Sequence, residues 1–232
     1  MGIGLFCKLD EEEVEYPAED GPLTILYEDD WILVVDKPAG MLIHPSRAKN
    51  DGTLANYVAG YYRKTGQKSA FHPMTRLDRD TFGIVLLAKN AHVHTLLQNC
   101  DVIKTYHALV LGGPEEDAGI IDAPIARKPL PSLLRCVHPE GKPSITQYSV
   151  LERIPGRSKL ALRPVTGRTH QLRVHCAYMG VPILGDPQYG SEESLALSRE
   201  LGFEYQMLCA KMLEFLHPMT RESMKLLSRM DV

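Results

Sequence analysis

A single carboxylate between two arginines is the feature of this sequence best suited to covalent chemistry. Asp78 lies between Arg76 and Arg79 in a predicted loop at residues 74–83, ahead of an apolar run at residues 84–88. Nearby cations favour the ionised form of an aspartate. An ionised carboxylate can act as a covalent nucleophile. The same residues could instead form a surface ion-pair cluster, so the segment by itself leaves both roles open.

A second candidate segment lies at residues 166–173 and reads Thr-Gly-Arg-Thr-His-Gln-Leu-Arg. On a helix that begins near Thr169, His170 and Arg173 are three residues apart and share a face. Arg173 would lie near the helix N-terminus, where the helix dipole favours anions, and could pair with a carboxylate from elsewhere in the fold. The alternative is an exposed polar helix face.

A tyrosine at the start of a predicted strand is the third candidate. Lys104, Thr105 and Tyr106 lead into that strand. The ring of Tyr106 offers a flat surface on which a base could stack, and its hydroxyl can donate or accept a hydrogen bond. A tyrosine on a strand also serves in core packing, so the residue type alone does not decide between the two roles.

The elements that must position these residues alternate irregularly between strands and helices. Asp51 or Thr53 could cap a helix that Gly66 follows, and Gly180 and Pro182 close a later one. This irregular order favours an α+β fold with a mixed, largely antiparallel sheet over a doubly wound parallel fold. Strands are predicted at residues 23–27, 31–36, 84–88, 106–111, 145–152, 158–164 and 208–216, helices at 53–64, 90–99, 169–179 and 193–201, and short elements at best within 112–143.

Two regions of opposite charge indicate how the chain is organised. Residues 1–30 carry one lysine or arginine against ten aspartates and glutamates, whereas residues 121–180 carry ten against three. We interpret residues 1–22 as an acidic N-terminal lead-in and residues 23–232 as one domain. The basic region at 121–180 could bind nucleic-acid phosphates or be a solvated face.

The composition argues against several classes of protein. Of the 232 residues, 44% are hydrophobic and 24% are charged, as in ordinary globular proteins. Five scattered cysteines without a Cys-x-x-Cys pair argue against a disulfide framework or a thiolate metal site. No apolar run approaches the roughly 18 residues of a membrane helix, and the acidic N-terminal segment lacks a secretory signal, so a cytoplasmic location is expected.

Seven short segments, taken together and in order, resemble the RluA-type pseudouridine synthases. The resemblance runs from about residue 23 to about residue 218, and it is specific because the segments keep the family's order. The segments are 25–30 (Ile-Leu-Tyr-Glu-Asp-Asp), 35–40 (Val-Asp-Lys-Pro-Ala-Gly) with 44–45, 76–83 (Arg-Leu-Asp-Arg-Asp-Thr-Phe-Gly), 104–108 (Lys-Thr-Tyr-His-Ala), 166–173 with 175, 180–186 with 189–190, and 210–218.

The resemblance implies an α+β pseudouridine synthase fold and an enzyme that isomerises uridines in structured RNA, either ribosomal or transfer RNA. Asp78 would be the nucleophile, adding to the uridine at the ring or at the ribose carbon. Tyr106 would stack on the flipped uracil and assist proton removal. Arg173 would orient Asp78, and Arg76 would fill the space that the flipped base leaves and hold the RNA backbone.

The resemblance also implies the partners. Arg76, Lys104, Arg168 and His170 are expected to bind the RNA, and the family acts as a monomer. No cofactor or metal is expected, because the isomerisation involves no net redox change and no group donor, and the chain shows no glycine-rich phosphate loop. The family's optional N-terminal RNA-binding domain is not expected within residues 1–22, which are too short for it.

Three positions depart from the family's pattern. Thr75 stands where most members have histidine before Arg-Leu-Asp, Phe82 where most have serine, and Cys209 where a histidine is common. The departures leave the nucleophile, tyrosine and arginine candidates intact, so they concern RNA contacts and substrate choice.

Two other functions fit the sequence less well. Asp78-Arg79-Asp80 resembles the Asp-x-Asp loop of an aspartyl-phosphate phosphatase, but the residues before it are too polar for the buried strand that such a loop follows. A non-catalytic RNA-binding or RNA-folding protein of the same fold is the alternative from another class. The intact Asp78, Tyr106 and Arg173 argue against it.

A histidine metal site is a further alternative. His170 and His175 are five residues apart on one predicted helix, and His92 and His94 are two apart on another. Neither spacing directs both rings to one point, so exposed or capping histidines are the simpler interpretation.

Overall fold

The computed structural model describes residues 16–46 and 49–232, so most of the predicted acidic lead-in lies outside the described residues. Within these ranges, ten strands form one sheet, two more form a separate hairpin, and four helices accompany them. The strands are β1 (Thr24–Glu28), β2 (Ile32–Lys37), β3 (His72–Pro73), β4 (Phe82–Ala88), β5 (Ile103–Leu111), β6 (Ala118–Asp122), β7 (Ile125–Arg127), β8 (Arg135–Val137), β9 (Ile145–Ile154), β10 (Arg157–Pro164), β11 (Leu208–Leu216) and β12 (Ser223–Leu227). The helices are α1 (Leu54–Thr65), α2 (Ala91–Gln98), α3 (Gln171–Tyr178) and α4 (Glu192–Glu200).

The main sheet runs in the order β1-β2-β4-β11-β5-β10-β9-β6, with β3 also pairing with β4 and β12 with β11. Its pairs are antiparallel except β4 with β11, which are parallel. The predicted α+β fold with a mixed, largely antiparallel sheet is therefore confirmed. The β4–β11 pair joins an N-terminal half-sheet (β1 to β4) to a C-terminal half-sheet (β5, β6 and β9 to β12).

The junction of β4 and β11, which we call the seam, leaves no room for a side chain at Gly83. In the seam Phe82 pairs with Cys209 and Gly83 with Ala210. Gly83 has a φ of +107, which residues with a side chain rarely adopt, and a Cβ atom there would lie 2.3 Å from the Ala210 carbonyl oxygen. Glycine therefore lets the two backbones meet directly, close after the Asp78 loop.

The N-terminal half-sheet is buried on both faces, which explains why β4 is continuously apolar rather than alternating. One face packs against α1 through Val58 and Tyr62, and the other packs against α2 through Val93 and Leu97. Of the two predicted capping residues, Thr53 is the one that caps α1, and Gly66 ends the helix as predicted.

The C-terminal half-sheet is covered on one face by α3. Tyr106 of β5 and Leu162 of β10 pack there with Leu172 of the helix. Alternate residues of a strand point to the opposite face, where Lys159 pairs with Asp231 at 3.0 Å. The helix that carries Arg173 thus lies on the same side of the sheet as Tyr106.

The predicted elements agree with the structure apart from a few at the margins. The strand at 208–216 is confirmed at both ends, and each predicted helix overlaps an observed one. β5 begins at Ile103, earlier than predicted, and β3 and β12 have no predicted counterpart. The interval 112–143 holds the short strands β6, β7 and β8. None of the helices in the described ranges is long and apolar enough to cross a membrane.

Candidate active site

The loop that carries Asp78 connects β3 to β4 and is anchored by a buried lysine. Lys37, at the end of β2, is fully buried. Its Nζ atom donates hydrogen bonds of 2.9 Å to the carbonyl oxygens of Pro38, Met41 and Arg79. Because Arg79 directly follows Asp78, Lys37 fixes the backbone of this loop relative to β2. No role was predicted for Lys37, although it lies in the segment 35–40.

The surroundings of Lys37 act on its charge in opposite directions. Burial lowers its pKa to about 7, while the carboxylates of Asp80 and Asp78 favour the ammonium form. Three carbonyl acceptors also match the three N–H groups of an ammonium. The net shift is downward, so the folded state disfavours the ammonium relative to the unfolded chain.

Replacing Lys37 with methionine is expected to reduce turnover by about 10²-fold, because the loop loses its bond from Arg79 to β2. The replacement should also flatten the pH dependence of stability. In the wild type the buried ammonium is penalised at pH 7, and the penalty fades as the pH rises towards the ordinary lysine pKa. The free energy of unfolding of the wild type should therefore rise by about 1–3 kcal/mol between pH 7 and about pH 9.5, as urea denaturation would measure.

Lys89 provides the matched control for Lys37. It is a buried lysine just beyond the far end of β4, where its Nζ pairs with Glu28 at 2.7 Å. Replacement of Lys89 with methionine should lower stability and leave turnover unchanged. Equal losses of turnover in the two variants would contradict a positioning role for Lys37.

Arg173 is the cation that faces Asp78. It lies on α3, is 5% exposed, and donates from Nη1 to Asp78 Oδ2 at 3.0 Å. Its Nε and Nη2 atoms donate to Oδ2 and Oδ1 of Asp186 at 2.7 and 2.8 Å. Nη2 also donates to Gln188 Oε1 at 2.8 Å. The two-point pair with Asp186 fixes the plane of the guanidinium and aims Nη1 at Asp78.

Asp186 is a site residue that the sequence analysis did not single out, although it ends the segment 180–186. Besides binding Arg173, its Oδ1 accepts the backbone N–H groups of Gln188 and Tyr189 at 3.0 and 3.2 Å. The side chain of Asp186 is 1% exposed, whereas that of Asp78 is 32% exposed. Of the two carboxylates on Arg173, therefore, Asp78 is the one that can meet a substrate.

Tyr106 belongs to the hydrophobic cluster under α3 and is 9% exposed. Burial raises the pKa of its hydroxyl, and the charge of Asp78 raises it further. The phenol therefore keeps its proton at neutral pH. The ring is near enough to Asp78 to sense its charge, but α3 and the neighbouring strands cover most of it.

A cavity of about 360 Å³ opens beside the pair of Asp78 and Arg173. Its volume lies in the range of roughly 300–1,000 Å³ that is usual for small-ligand sites. The cavity is lined by Asp78, Arg79, Asp80, His170, Arg173, Pro187, Gln188 and Gln206. Charged and amide groups dominate this lining, so the cavity suits a polar ligand.

A second cavity, of about 430 Å³, lies near Lys89. Its lining includes Glu28, Gln67 and Lys89, which are already bonded to one another. Because these polar groups are paired, the smaller cavity at Asp78 is the better candidate for chemistry.

The four residues predicted to bind RNA do not form one cluster in the structure. His170 lies in the cavity, with Nε2 3.8 Å from Asp78 Oδ2. Lys104 and the exposed Arg76 are neighbours: burial lowers the pKa of Lys104, and the charge of Arg76 lowers it further. Arg168 is exposed shortly before α3. Arg76, which is part of the Asp78 loop, and Lys104 thus form one cluster of positive charge, and Arg168 lies at a separate position.

The three departures from the family's pattern are all buried. Thr75 Oγ1 accepts the backbone N–H of Leu86 in β4 at 3.1 Å, which ties the Asp78 loop to that strand. Phe82 and Cys209 pair in the seam. These positions can influence RNA through the placement of the loop, and their effect on substrate choice stays a prediction.

The histidines considered as metal ligands do not converge. His175 Nε2 is 2.9 Å from the Ala123 carbonyl, a contact that needs an N–H, and its Nδ1 is 2.9 Å from the Thr146 hydroxyl. The ring of His94 lies beside that of His72. Among residues 16–46 and 49–232, no group of three or more His, Cys, Asp or Glu side chains could hold a metal ion.

Comparison with known proteins defines the class to which this fold and site belong. Residues 31–178 match the RNA pseudouridylate synthase family, and the chain therefore belongs to that family. The resemblance to its RluA type is confirmed by relatives that match over nine tenths of the chain. The activity is the isomerisation of uridine in RNA, and the phosphatase and non-catalytic alternatives are not favoured.

Two relatives and one solved structure show the extent of the similarity. The chain is 38% identical over 225 residues to ribosomal large subunit pseudouridine synthase D of Haemophilus ducreyi, covering 91% of this chain and 68% of the relative. It is 39% identical over 227 residues to the uncharacterized RNA pseudouridine synthase YjbO of Bacillus subtilis, covering 95% and 78%. The structure of human RNA pseudouridylate synthase domain containing 1 superimposes with a TM-score of 0.73 and 29% identity, over 91% of this chain and 84% of that chain.

Proposed function

We propose that this chain converts specific uridines of large-subunit ribosomal RNA to pseudouridine, with Asp78 as the nucleophile. The observation that carries the role of Asp78 is its geometry. Asp78 is a part-exposed carboxylate on a cavity, bonded by a guanidinium whose plane the buried Asp186 fixes. The choice of RNA is supported by relatives named for the large ribosomal subunit, and transfer RNA is the alternative to be tested. We further propose that the enzyme acts as a monomer in the cytoplasm.

The target uridine must leave its base stack to reach Asp78. Flipping a base out of a helix costs a few kcal/mol, and stacking on an aromatic ring offsets about 1–3 kcal/mol of this. Tyr106 is the ring proposed for this contact. Because α3 and the neighbouring strands cover most of the ring, they must shift when the base enters. Arg76, an exposed residue of the Asp78 loop, would fill the space that the flipped base leaves in the RNA.

The reaction proceeds through the ionised Asp78. The carboxylate adds to the uridine at the ring or at the ribose carbon, the bond between N1 and ribose C1′ breaks, the base turns, and C5 joins C1′. The proton on C5 passes to solvent and N1 gains a proton, so the atoms balance as an isomerisation. When Asp78 is released its negative charge returns, and the N–H of Arg173 Nη1 already points at Oδ2 to stabilise it.

The RNA-binding surface is proposed to surround the cavity and to use the basic region at residues 121–180. Arg168 lies at one side of this surface, two residues before His170, which lines the cavity. The hairpin of β7 and β8 lies at another, since Arg127 pairs in register with Arg135 and the charge of Arg135 contributes to the lowered pKa of His170. The guanidinium groups of Arg127 and Arg168 are exposed and can follow an RNA backbone, whereas Arg135 is only half-exposed.

Replacing Arg168 with glutamine is expected to weaken RNA binding and to reduce the slope of log affinity against log salt by about 0.7–0.9, the value for one lost phosphate contact. Fluorescence anisotropy over about 50–200 mM salt would measure the slope. Arg163 is the matched control, because it is exposed in the same basic region but alternates with Leu162 and so faces away from α3. Equal slope losses in both variants, or a wild-type affinity that is flat in salt, would contradict this surface.

The test of function uses RNA labelled with tritium at C5 of uridine, taken from cells that lack this protein. Pseudouridine formation releases that label to solvent. Ribosomal and transfer RNA are treated separately, with Asp78→Asn as the control. We expect the wild-type protein to release tritium from ribosomal RNA and the Asp78→Asn variant to release none. Release from transfer RNA alone would reject the substrate choice, and release by the variant at the wild-type rate would reject the nucleophile.

A further inference from the structure

His170 precedes α3 in an unusual backbone conformation. Its φ of 57 lies in the left-handed region, which residues with a side chain adopt only at some energetic cost, and its side chain makes no capping bond to the helix. The ring lines the cavity between Tyr189 and Asp78 instead. Nδ1 lies 2.8 Å from the Tyr189 hydroxyl, and Nε2 lies 3.8 Å from Asp78 Oδ2.

The hydrogen bonds of Tyr189 determine which nitrogen of His170 carries the proton. The backbone N–H of Arg135 donates to the Tyr189 oxygen at 2.9 Å. In the described part of the chain, the acceptor within reach of the Tyr189 O–H is His170 Nδ1. Burial raises the pKa of Tyr189, so the phenol keeps this proton. A neutral His170 that accepts at Nδ1 must carry its own proton at Nε2, on the side of Asp78.

Burial of His170 favours this neutral ring, and the charges around it act in both directions. Burial lowers its pKa, the carboxylates of Asp78 and Asp186 raise it, and the guanidinium groups of Arg173 and Arg135 lower it, with a downward net shift. The ring of Tyr189 also packs against the Arg173 guanidinium, whose carbon lies 4.9 Å from the ring centre. Tyr189 therefore contacts both side chains that face Asp78.

We propose that His170 is a positioning residue for Asp78, donating from Nε2–H to its carboxylate when the uridine enters, with the tautomer set by the hydroxyl of Tyr189. This inference deepens the proposed function and rests on the proposed role of Asp78. It replaces the expectation that His170 binds RNA. The separation of 3.8 Å is longer than a hydrogen bond, and such contacts commonly tighten in the substrate complex.

A second donor on Asp78 has a definite consequence for the reaction. Arg173 already donates to Oδ2 of Asp78. An added N–H from His170 would orient the carboxylate for attack and stabilise its charge when it detaches from the product. The effect should appear in kcat, because binding of RNA does not depend on this bond.

Two substitutions at His170 separate this role from simple packing. The amide nitrogen of glutamine can take the place of Nε2, whereas that of asparagine reaches only the place of Nδ1. We expect His170→Asn to lower kcat by about 10–100-fold and His170→Gln by only about threefold, with KM and RNA affinity within about twofold in both. Asparagine tolerates the left-handed conformation better than glutamine, so backbone strain alone predicts the opposite order.

The tautomer provides an independent measurement that does not need turnover. In nitrogen-15 NMR of labelled protein, with His170→Asn used to assign the signal, His170 should appear as the Nε2–H form. Tyr189→Phe keeps the ring against Arg173 but removes the hydroxyl, so it should give a mixture of tautomers and a kcat lower by about fivefold. A wild-type ring protonated at Nδ1 would overturn the proposal.

The remaining outcomes are equally decisive. Equal loss of kcat in His170→Gln and His170→Asn would show that the ring matters for packing rather than as a donor. Weaker RNA binding with kcat retained would show that His170 binds RNA, as the sequence predicted. Both results overturn the proposal while the function stands. Asp78→Asn is measured in parallel, and its retention of turnover would instead reject the role of Asp78 on which the inference depends.

Discussion

Asparagine in place of Asp78 is expected to leave RNA binding intact and to reduce pseudouridine formation by about 10⁴-fold or more. The amide has the shape of the carboxylate and can still accept a bond from Arg173 Nη1 through its oxygen. It carries no negative charge, however, so it is a poor nucleophile. Single-turnover release of tritium from C5-labelled RNA measures the rate, and titration of the same RNA measures the affinity.

Asp80 is the natural comparison for Asp78, because it lies in the same loop and lines the same cavity. Its carboxylate is already held by Arg79, at 2.8 and 2.9 Å. Asp80→Asn should therefore reduce turnover far less than Asp78→Asn does. If Asp80→Asn abolished turnover and Asp78→Asn did not, the nucleophile would have to be reassigned.

Removing Arg173 is expected to damage both the stability of the fold and the turnover. Arg173→Met leaves Asp186, which is buried, without its partner, and an uncompensated buried charge of this kind costs about 3–5 kcal/mol of folding stability. Asp78 loses its orienting donor at the same time. We expect turnover to fall by more than about 10³-fold and the urea midpoint to fall with it.

Arg173→Lys separates the effect of the positive charge from the effect of the guanidinium geometry. It can also be measured if the methionine variant does not fold. Lysine keeps the positive charge but cannot bind both oxygens of Asp186 while also reaching Asp78. Stability should then fall by only about 1–2 kcal/mol while turnover falls by about 10²-fold. Wild-type turnover in this variant would show that charge alone is enough and that the two-point pair has no catalytic consequence.

The fold was predictable from the sequence to the extent that its signals are local. The cap at Thr53, the stop at Gly66 and the apolar run of β4 are each read from a few neighbouring residues, and the structure has them as predicted. β12, with the residues Ser-Met-Lys-Leu-Leu, gave no such signal, because it is a short edge strand in which no residue is fully buried. The short strand β3 is too brief to carry a pattern.

The site was predictable only where resemblance supplied it. Asp78 and Arg173 are 95 residues apart in sequence, and nothing in their spacing indicates that they meet. The anchoring role of Lys37 was hidden for a related reason, since its acceptors are backbone carbonyls, which every residue possesses. The contact of His170 with Tyr189 depends on how α3 sits relative to the following loop, and that is decided by tertiary packing.

The seam at Gly83 sets where this protein can tolerate change. Asp78 belongs to the N-terminal half-sheet, and Arg173 belongs to the helix that packs on the C-terminal half-sheet. Their 3.0 Å contact therefore depends on how the two half-sheets are aligned. Because two backbones meet at Gly83 with no side chain between them, no compressible layer absorbs an error in spacing. One added methyl group at Gly83 would displace Asp78, the proposed nucleophile, from Arg173, whereas substitutions on the outer strands β1 and β6 are far from this contact. Tolerance of substitutions should therefore increase with distance from the seam, and substitutions that adapt the protein to a new RNA should be tolerated best on the outer strands.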